Sequence, residues 1–168
     1  QGRDPALPCS FTEGAGPPGM IRPLGASEAQ SYYDLRLEGL VTNPEAFLLT
    51  AAEAREAGLE GAEPALSFGH FFGAFENERL LGFAAWRPEH LKALSHRGNV
   101  GPFFVTPSAQ GRGLAKALLD ALVADAKAAS LRQLELYVWD GNTRAIAFYE
   151  AAGFAHFGRV PSAVAFKD

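Results

Sequence analysis

Between Val100 and Trp139 the chain passes from a short apolar strand, through a glycine-rich turn, into a leucine-striped helix and out into a second strand. Leu114, Leu118, Leu119, Leu122, Val123 and Ala126 recur at the helical period, whereas Leu134, Leu136 and Val138 alternate with Glu135, Tyr137 and Trp139. A strand, a crossover helix and a second strand join as parallel neighbours through a right-handed connection. Just upstream, Phe68 to Glu76 and Leu80 to Arg87 are aromatic and aliphatic runs separated by the polar Asn77-Glu78, which predicts an antiparallel hairpin. A parallel pair next to a hairpin requires a mixed sheet with helices on both faces.

The remaining segments attach to that frame. With 168 residues, 48% hydrophobic and 20% charged, the chain supplies one core and not two. Residues 1–19 are rich in Gly and Pro without apolar period and read as a disordered or expression-derived tail, which leaves 20–168 as the folded domain. Met20 to Leu24 predicts a first strand, placed at a sheet edge or strand end by Pro23. Ser27 reads as the cap of a helix to about Gly39, and Pro44 opens a second helix through Ala54. Gly58 to Pro64 reads as a loop and Pro88 to Gly98 as a partly helical connection. Asn142 to Ala152 predicts a last helix, stopped by Gly153, with Phe154 to Phe157 opening a final strand.

The turn inside the parallel unit carries the chemistry. Val105-Thr-Pro-Ser-Ala-Gln110-Gly111-Arg112-Gly113-Leu114-Ala115 leaves a strand and opens a helix, whose first N–H groups are unpaired and partially positive. Gly111 and Gly113 admit an anion close to the backbone, and Arg112 adds a charge-assisted donor. A P-loop is excluded because no Lys-Ser/Thr pair follows the glycines, and the Gly-x-Gly-x-x-Gly spacing of a dinucleotide fold is absent. A formal net charge of −4 gives no basic field for nucleic acid or anionic lipid, and no apolar run approaches the roughly 20 residues of a membrane span. The single cysteine, Cys9, forms no internal disulfide, which points to a reducing cytoplasm. His70, His90, His96 and His156 lack metal-ligand spacing, so no metal is expected.

A second motif follows the second strand: Asn142-Thr-Arg-Ala145-Ile-Ala-Phe148-Tyr149-Glu-Ala-Ala-Gly153-Phe154. Together with Gln110-Gly-Arg-Gly113-Leu-Ala115, it resembles the GCN5-related N-acetyltransferase (GNAT) family over nearly everything from Met20 onward. The resemblance implies the acyl-CoA N-acyltransferase fold, an α/β (α+β) architecture with a mostly antiparallel central sheet, one splayed parallel strand pair and helices on both faces. It implies acetyl-CoA as co-substrate, with its pyrophosphate on Gln110, Gly111, Arg112, Gly113, Leu114 and Ala115, and its pantetheine arm on strand groups near Phe104 and Val105. Asn142 would bond that arm or cap its helix. Tyr149 would be the general acid that protonates the leaving thiolate, with a partly buried aromatic as the alternative reading.

The base is open at this level. Glu135 alternates with core leucines on the splayed strand and is the first candidate; Asp140, Glu45, His96 and a water chain are others. The acceptor expected by resemblance is a primary amine of a small molecule or a peptide, bordered by aromatics such as Tyr32, Phe47, His70, Trp86 and Trp139. A non-catalytic acyl-CoA-binding sensor or scaffold is the rival reading, since it keeps the phosphate loop and has no use for Tyr149. Family members finish with a long antiparallel pair, whereas here Val164 to Phe166 leaves little for a return strand. A truncated piece, or an edge completed by a second subunit as a homodimer, is therefore expected.

Overall fold

The computed structural model describes residues 19–67 and 69–164. The expected Gly/Pro tail lies almost wholly outside the described residues, as do Phe68 and the end of the chain after Val164. Five strands form one sheet: β1 (Met20–Pro23), β2 (Phe71–Glu76), β3 (Arg79–Pro88), β4 (Arg97–Val105) and β5 (Gln133–Glu135). They lie in sequence order, and every neighbouring pair is antiparallel except β4–β5. The mixed sheet expected from the crossover unit is therefore present.

Two apolar layers sandwich this sheet. Helices α1 (Ala29–Thr42) and α2 (Ala51–Leu66) cover one face, where Tyr32, Leu35 and Leu66 meet Phe71, Phe83 and Phe104. Tyr32 stands edge-on to Phe71 and Phe83, with ring centroids 5.2 and 5.0 Å apart. Helix α3 (Leu114–Ala128) covers the other face, sinking Leu114, Leu118, Leu122 and Ala126 against Ala84, Trp86 and Val105. Each fully buried leucine of that stripe contributes about 1.5–3 kcal/mol. Beneath the far end of α3, the Asp125 carboxylate accepts from the Trp86 indole at 2.7 Å and meets His70 Nδ1 at 2.8 Å, which ties the helix to β2 and β3.

Several boundaries differ from the sequence reading, each for a local reason. Pro44–Ala46 is only a single 3-10 turn; the second helix begins at Ala51, where Thr50 and Glu53 cap each other reciprocally. The expected Gly58–Pro64 loop lies inside α2. Gly58, at φ 60° and ψ −164°, breaks the helix for one residue and the chain then resumes helical geometry. The β2–β3 turn places both Asn77 and Glu78 at positive φ, the conformation that matches hairpin twist. The expected strand Leu134–Trp139 is reduced to Gln133–Glu135, and Phe154–Phe157 is not a strand and makes no ladder with any of the described residues. Helix α4 (Thr143–Ala151) starts on Asn142 as expected, and Gly153 turns away at φ 93°.

Candidate functional site

The parallel pair opens into a wedge. β4 meets β5 at three positions only, Arg97 with Gln133, Gly98 with Leu134 and Asn99 with Glu135. Beyond Asn99, β4 continues for six residues to Val105, while Leu136–Trp139 departs without pairing. Strand alternation then decides which backbone groups face the gap. Thr106 N–H donates to Leu81 O on β3, so Phe104, two residues earlier, also turns its N–H and C=O toward β3. Phe103 and Val105 present theirs to the open side. The expected contribution of Phe104 is thus corrected: its ring is core, tilted against Phe83 and Phe47, and Phe103 joins Val105 on the free edge.

At the wide end of the wedge stands the glycine turn. Gly111 (φ 76°) and Gly113 (φ 81°) both need the left-handed region, and a Cβ built on either would meet no atom within 4 Å. Gly113 occupies the N-cap position of α3 and supplies no side-chain cap. The first intrahelical bond runs from Ala117 N–H to Gly113 O, which leaves Leu114, Ala115 and Lys116 as orphan donors. Those N–H groups and the helix dipole form an open cradle for an anion.

Side chains around the cradle are arranged partly against expectation. Arg112 is paired with Glu76 at the end of β2, so its guanidinium is engaged by a carboxylate. Gln110 does not face the loop alone: its Nε2 donates to Val105 O at 3.0 Å, and its Oε1 accepts from Arg144 Nη1 at 2.6 Å. Gln110 thereby links the end of β4 to the first turn of α4. Arg144, which sequence reading did not single out, brings a second cation to the loop; its place two residues after Asn142 was the only available signal. Thr106, buried where β4 ends, donates its hydroxyl to Glu38 of α1 and fixes that helix over the same strand end.

On the far wall, the Asn142 Oδ1 accepts from Ala145 N–H at 3.1 Å, so its capping role is realised. Tyr149 packs against Phe103 (centroids 6.0 Å), Phe148 (5.1 Å) and Phe154 (5.6 Å). Burial pushes its phenol up to about 12, which keeps the proton on through the whole ordinary pH range. Its hydroxyl has no hydrogen-bond partner among the described residues. A protonated, half-buried hydroxyl beside the free edge of β4 can donate a proton into the wedge.

Glu135 does not suit the role of base. Its Oε2 accepts from Arg97 Nη2 at 2.5 Å and its Oε1 from Gln133 Nε2 at 2.5 Å. The Arg97 hydrogen bond holds the carboxyl below its ordinary range, so both oxygens are engaged and proton affinity is reduced. Asp140 is tied at the surface to Arg159 at 2.6 Å. Among the described residues, no group of three or more His, Cys, Asp or Glu side chains is placed to hold a metal ion, and no helix is long and apolar enough to cross a membrane.

The family model described as Acetyltransferase (GNAT) family matches residues 30–154. A mycothiol acetyltransferase of Geodermatophilus obscurus is 34% identical over 131 residues, covering 76% of this chain and 41% of the relative. One from Streptomyces scabiei is 32% identical over 154 residues, covering 92% of this chain and 46% of the relative. The chain thus spans less than half the length of these curated relatives. Among solved structures, the PaiA N-acetyltransferase of Thermoplasma acidophilum in complex with coenzyme A superposes with TM-score 0.71 at 19% identity, covering 85% of this chain and 93% of that one. A phosphinothricin acetyltransferase of Sinorhizobium meliloti in complex with AcCoA gives 0.71 at 23% identity, covering 84% and 77%. At such identities these two structures establish the shared fold alone.

Proposed function

The chain belongs to the GNAT family of acetyltransferases, and from that premise we propose that it transfers an acetyl group from acetyl-CoA to a primary amine of a small molecule or peptide. One observation carries this reading: an uncapped, glycine-built helix start stands at the mouth of a wedge with free strand groups on one wall and a protonated phenol beside it.

The residues present fit the co-substrate. The open space over Gly111 and Gly113 leaves the N–H groups from Gly111 to Ala115 accessible to a diphosphate, with Arg144 nearby to balance charge. Arg112 joins them once it releases Glu76. The outward N–H and C=O groups of Phe103 and the N–H of Val105 match an extended arm carrying amides, much as an added strand would, while Gln110 holds the Val105 carbonyl. When bound, acetyl-CoA supplies an activated acyl carbonyl and a sulfur leaving group. Tyr149 holds the proton that a departing sulfur needs, and Asn142 sets the first turn of the helix that carries it. Position accounts for much of the rate, because the wedge holds the reacting carbonyl while the amine approaches.

The relatives named mycothiol acetyltransferases support a small-molecule amine as acceptor. Pairing of the free sheet edge with a second copy is part of the same proposal, because Tyr137 and Trp139 on the departing segment are 75% and 52% exposed. Sedimentation at micromolar concentration should show a dimer; a monomer removes that element only.

The deciding experiment is calorimetric titration with coenzyme A, followed by acetyl-CoA turnover across small amines, amino acids and peptides. Binding with turnover is the expected result. Binding without turnover by any amine would favour the sensor or scaffold, and the absence of binding would overturn the proposal.

A further inference from the structure

Two rows of polar side chains cross β3, β4 and β5 at the narrow end of the wedge. Register pairs Arg87 with Asn99 and Asn99 with Glu135. One step further, Glu89 N–H donates to Arg97 O at 3.1 Å and Arg97 pairs with Gln133. Partners opposite one another share a face. Gly98, between Arg97 and Asn99, looks at Leu131 and Trp86 in the α3 layer, so both rows lie on the opposite face, the one that α1 and α2 cover elsewhere with apolar side chains. The sheet face therefore changes from apolar to hydrogen-bonding where β4 and β5 separate.

The two carboxylates there differ. Glu135 has both oxygens occupied, by Arg97 and Gln133. Glu89 accepts from Asn99 Nδ2 at 2.6 Å through Oε1, and its Oε2 has no partner among the described residues. The charged and titratable groups facing it are Arg97 and Asn99's neighbour Arg87, then Glu135, with His96 and Tyr137 at the border. Tyr149 sits across the sheet, against Phe103 on the α3 side. An amine arriving over the polar rows and a proton donor on the other face would approach a carbonyl held between the strands from opposite sides.

We infer that these rows form the floor of the acceptor site, that they select a small hydrophilic amine over an apolar one, and that Glu89 Oε2 receives the proton of the incoming ammonium. The inference rests on the acetyl-transfer reading above. Glu89 takes one proton from the ammonium, and the freed lone pair forms the C–N bond as the acetyl C–S bond breaks. The sulfur takes the phenolic proton of Tyr149. The remaining surplus proton of the new amide nitrogen restores that phenol through solvent, so each turnover releases one proton, from Glu89. Asn99 orients the carboxylate and is a positioning residue.

The test uses serinol (2-amino-1,3-propanediol) and n-butylamine, amines of similar size, with wild type, Glu89→Gln and Glu89→Asp. Wild type should prefer serinol by at least about 10-fold in kcat/KM, the value of one or two hydrogen bonds. Glu89→Gln should lower kcat/KM for serinol on the order of 100-fold and move the acid limb of its pH profile up to the ionisation of the amine itself, with Glu89→Asp keeping the wild-type limb. Calorimetry should give all three proteins the same coenzyme A affinity, and serinol should bind coenzyme A-loaded wild type more tightly than Glu89→Gln. An unchanged pH profile in Glu89→Gln, a preference for butylamine, or no serinol heat on loaded wild type would overturn the inference. A wild type that took no coenzyme A would instead remove the reading beneath it, and the inference with it.

Discussion

Helix α2 and helix α3 begin in opposite ways. At α2, Thr50 Oγ1 accepts from Glu53 N–H at 3.2 Å, and Glu53 Oε2 reaches back to Thr50 N–H at 2.8 Å, so the chain satisfies its own orphan donors. At α3, Gly113 caps nothing and the donors remain open. Nothing in their lengths, 16 and 15 residues, requires this difference. The first start is built for stability. The second forgoes a cap that typically contributes about 1 kcal/mol, and the vacancy is what an anion would use. Leaving donors unsatisfied is affordable there because the leucine stripe behind them holds the helix down.

Giving α3 a carboxylate of its own breaks the comparison most severely. In Gly113→Asp the backbone is tolerated, since Asp is among the few residues that visit the left-handed region and no atom lies within 4 Å of the new Cβ. The carboxylate would stand beside the free N–H groups and repel a diphosphate. Affinity for coenzyme A should fall on the order of 100-fold, or about 2.7 kcal/mol, with the melting temperature nearly unchanged. Calorimetry and thermal unfolding on the same samples separate these effects. Equal losses in both would mean that the start of α3 is structural, like that of α2.

The start of α4 lies between these extremes, capped by Asn142 yet carrying Tyr149, and the second variant probes it. Tyr149→Phe should lower kcat on the order of 100-fold while leaving coenzyme A affinity intact. The pH dependence has a definite sign. A phenol raised to about 12 stays protonated, so wild type should show no alkaline loss attributable to Tyr149 below about pH 10. A fall in kcat centred near pH 8 or 9 that disappears in Tyr149→Phe would mean that the phenol is not held as its burial implies.

What the sequence disclosed divides along the same line. The glycine turn, the stripe of α3 and the Asn142 cap are local patterns, readable because a helix start is decided within a few residues. The wedge was expected through family resemblance, and its depth, three paired positions with a departing Leu136–Trp139, needed coordinates. Gly58 and Pro64 look like loop residues in isolation, and only packing of Ala54, Ala62 and Leu66 against the α1 layer keeps the chain helical around them. Glu135 looked available because alternation gives a side chain's face but not its partners; Arg97 is 38 residues away. The Glu89–Asn99 contact depends on strand register between β3 and β4, which periodicity leaves undetermined.

The smallest effect belongs to the self-capped start, and it is the control that gives the others meaning. Thr50→Ala removes the hydroxyl that accepts from Glu53 N–H and the partner of the Glu53 carboxylate, both at the exposed end of α2. The expected loss is about 1 kcal/mol of stability, a few degrees in melting temperature for a domain of this size. Coenzyme A affinity and kcat should both stay within about twofold, because the exposed Thr50 end of α2 touches neither the glycine turn nor the wedge walls. Urea unfolding reads the first quantity and calorimetry the second. If Thr50→Ala weakened coenzyme A binding as Gly113→Asp does, the two starts would be coupled through the sheet, and the division between a helix that caps itself and one that waits for an anion would fail.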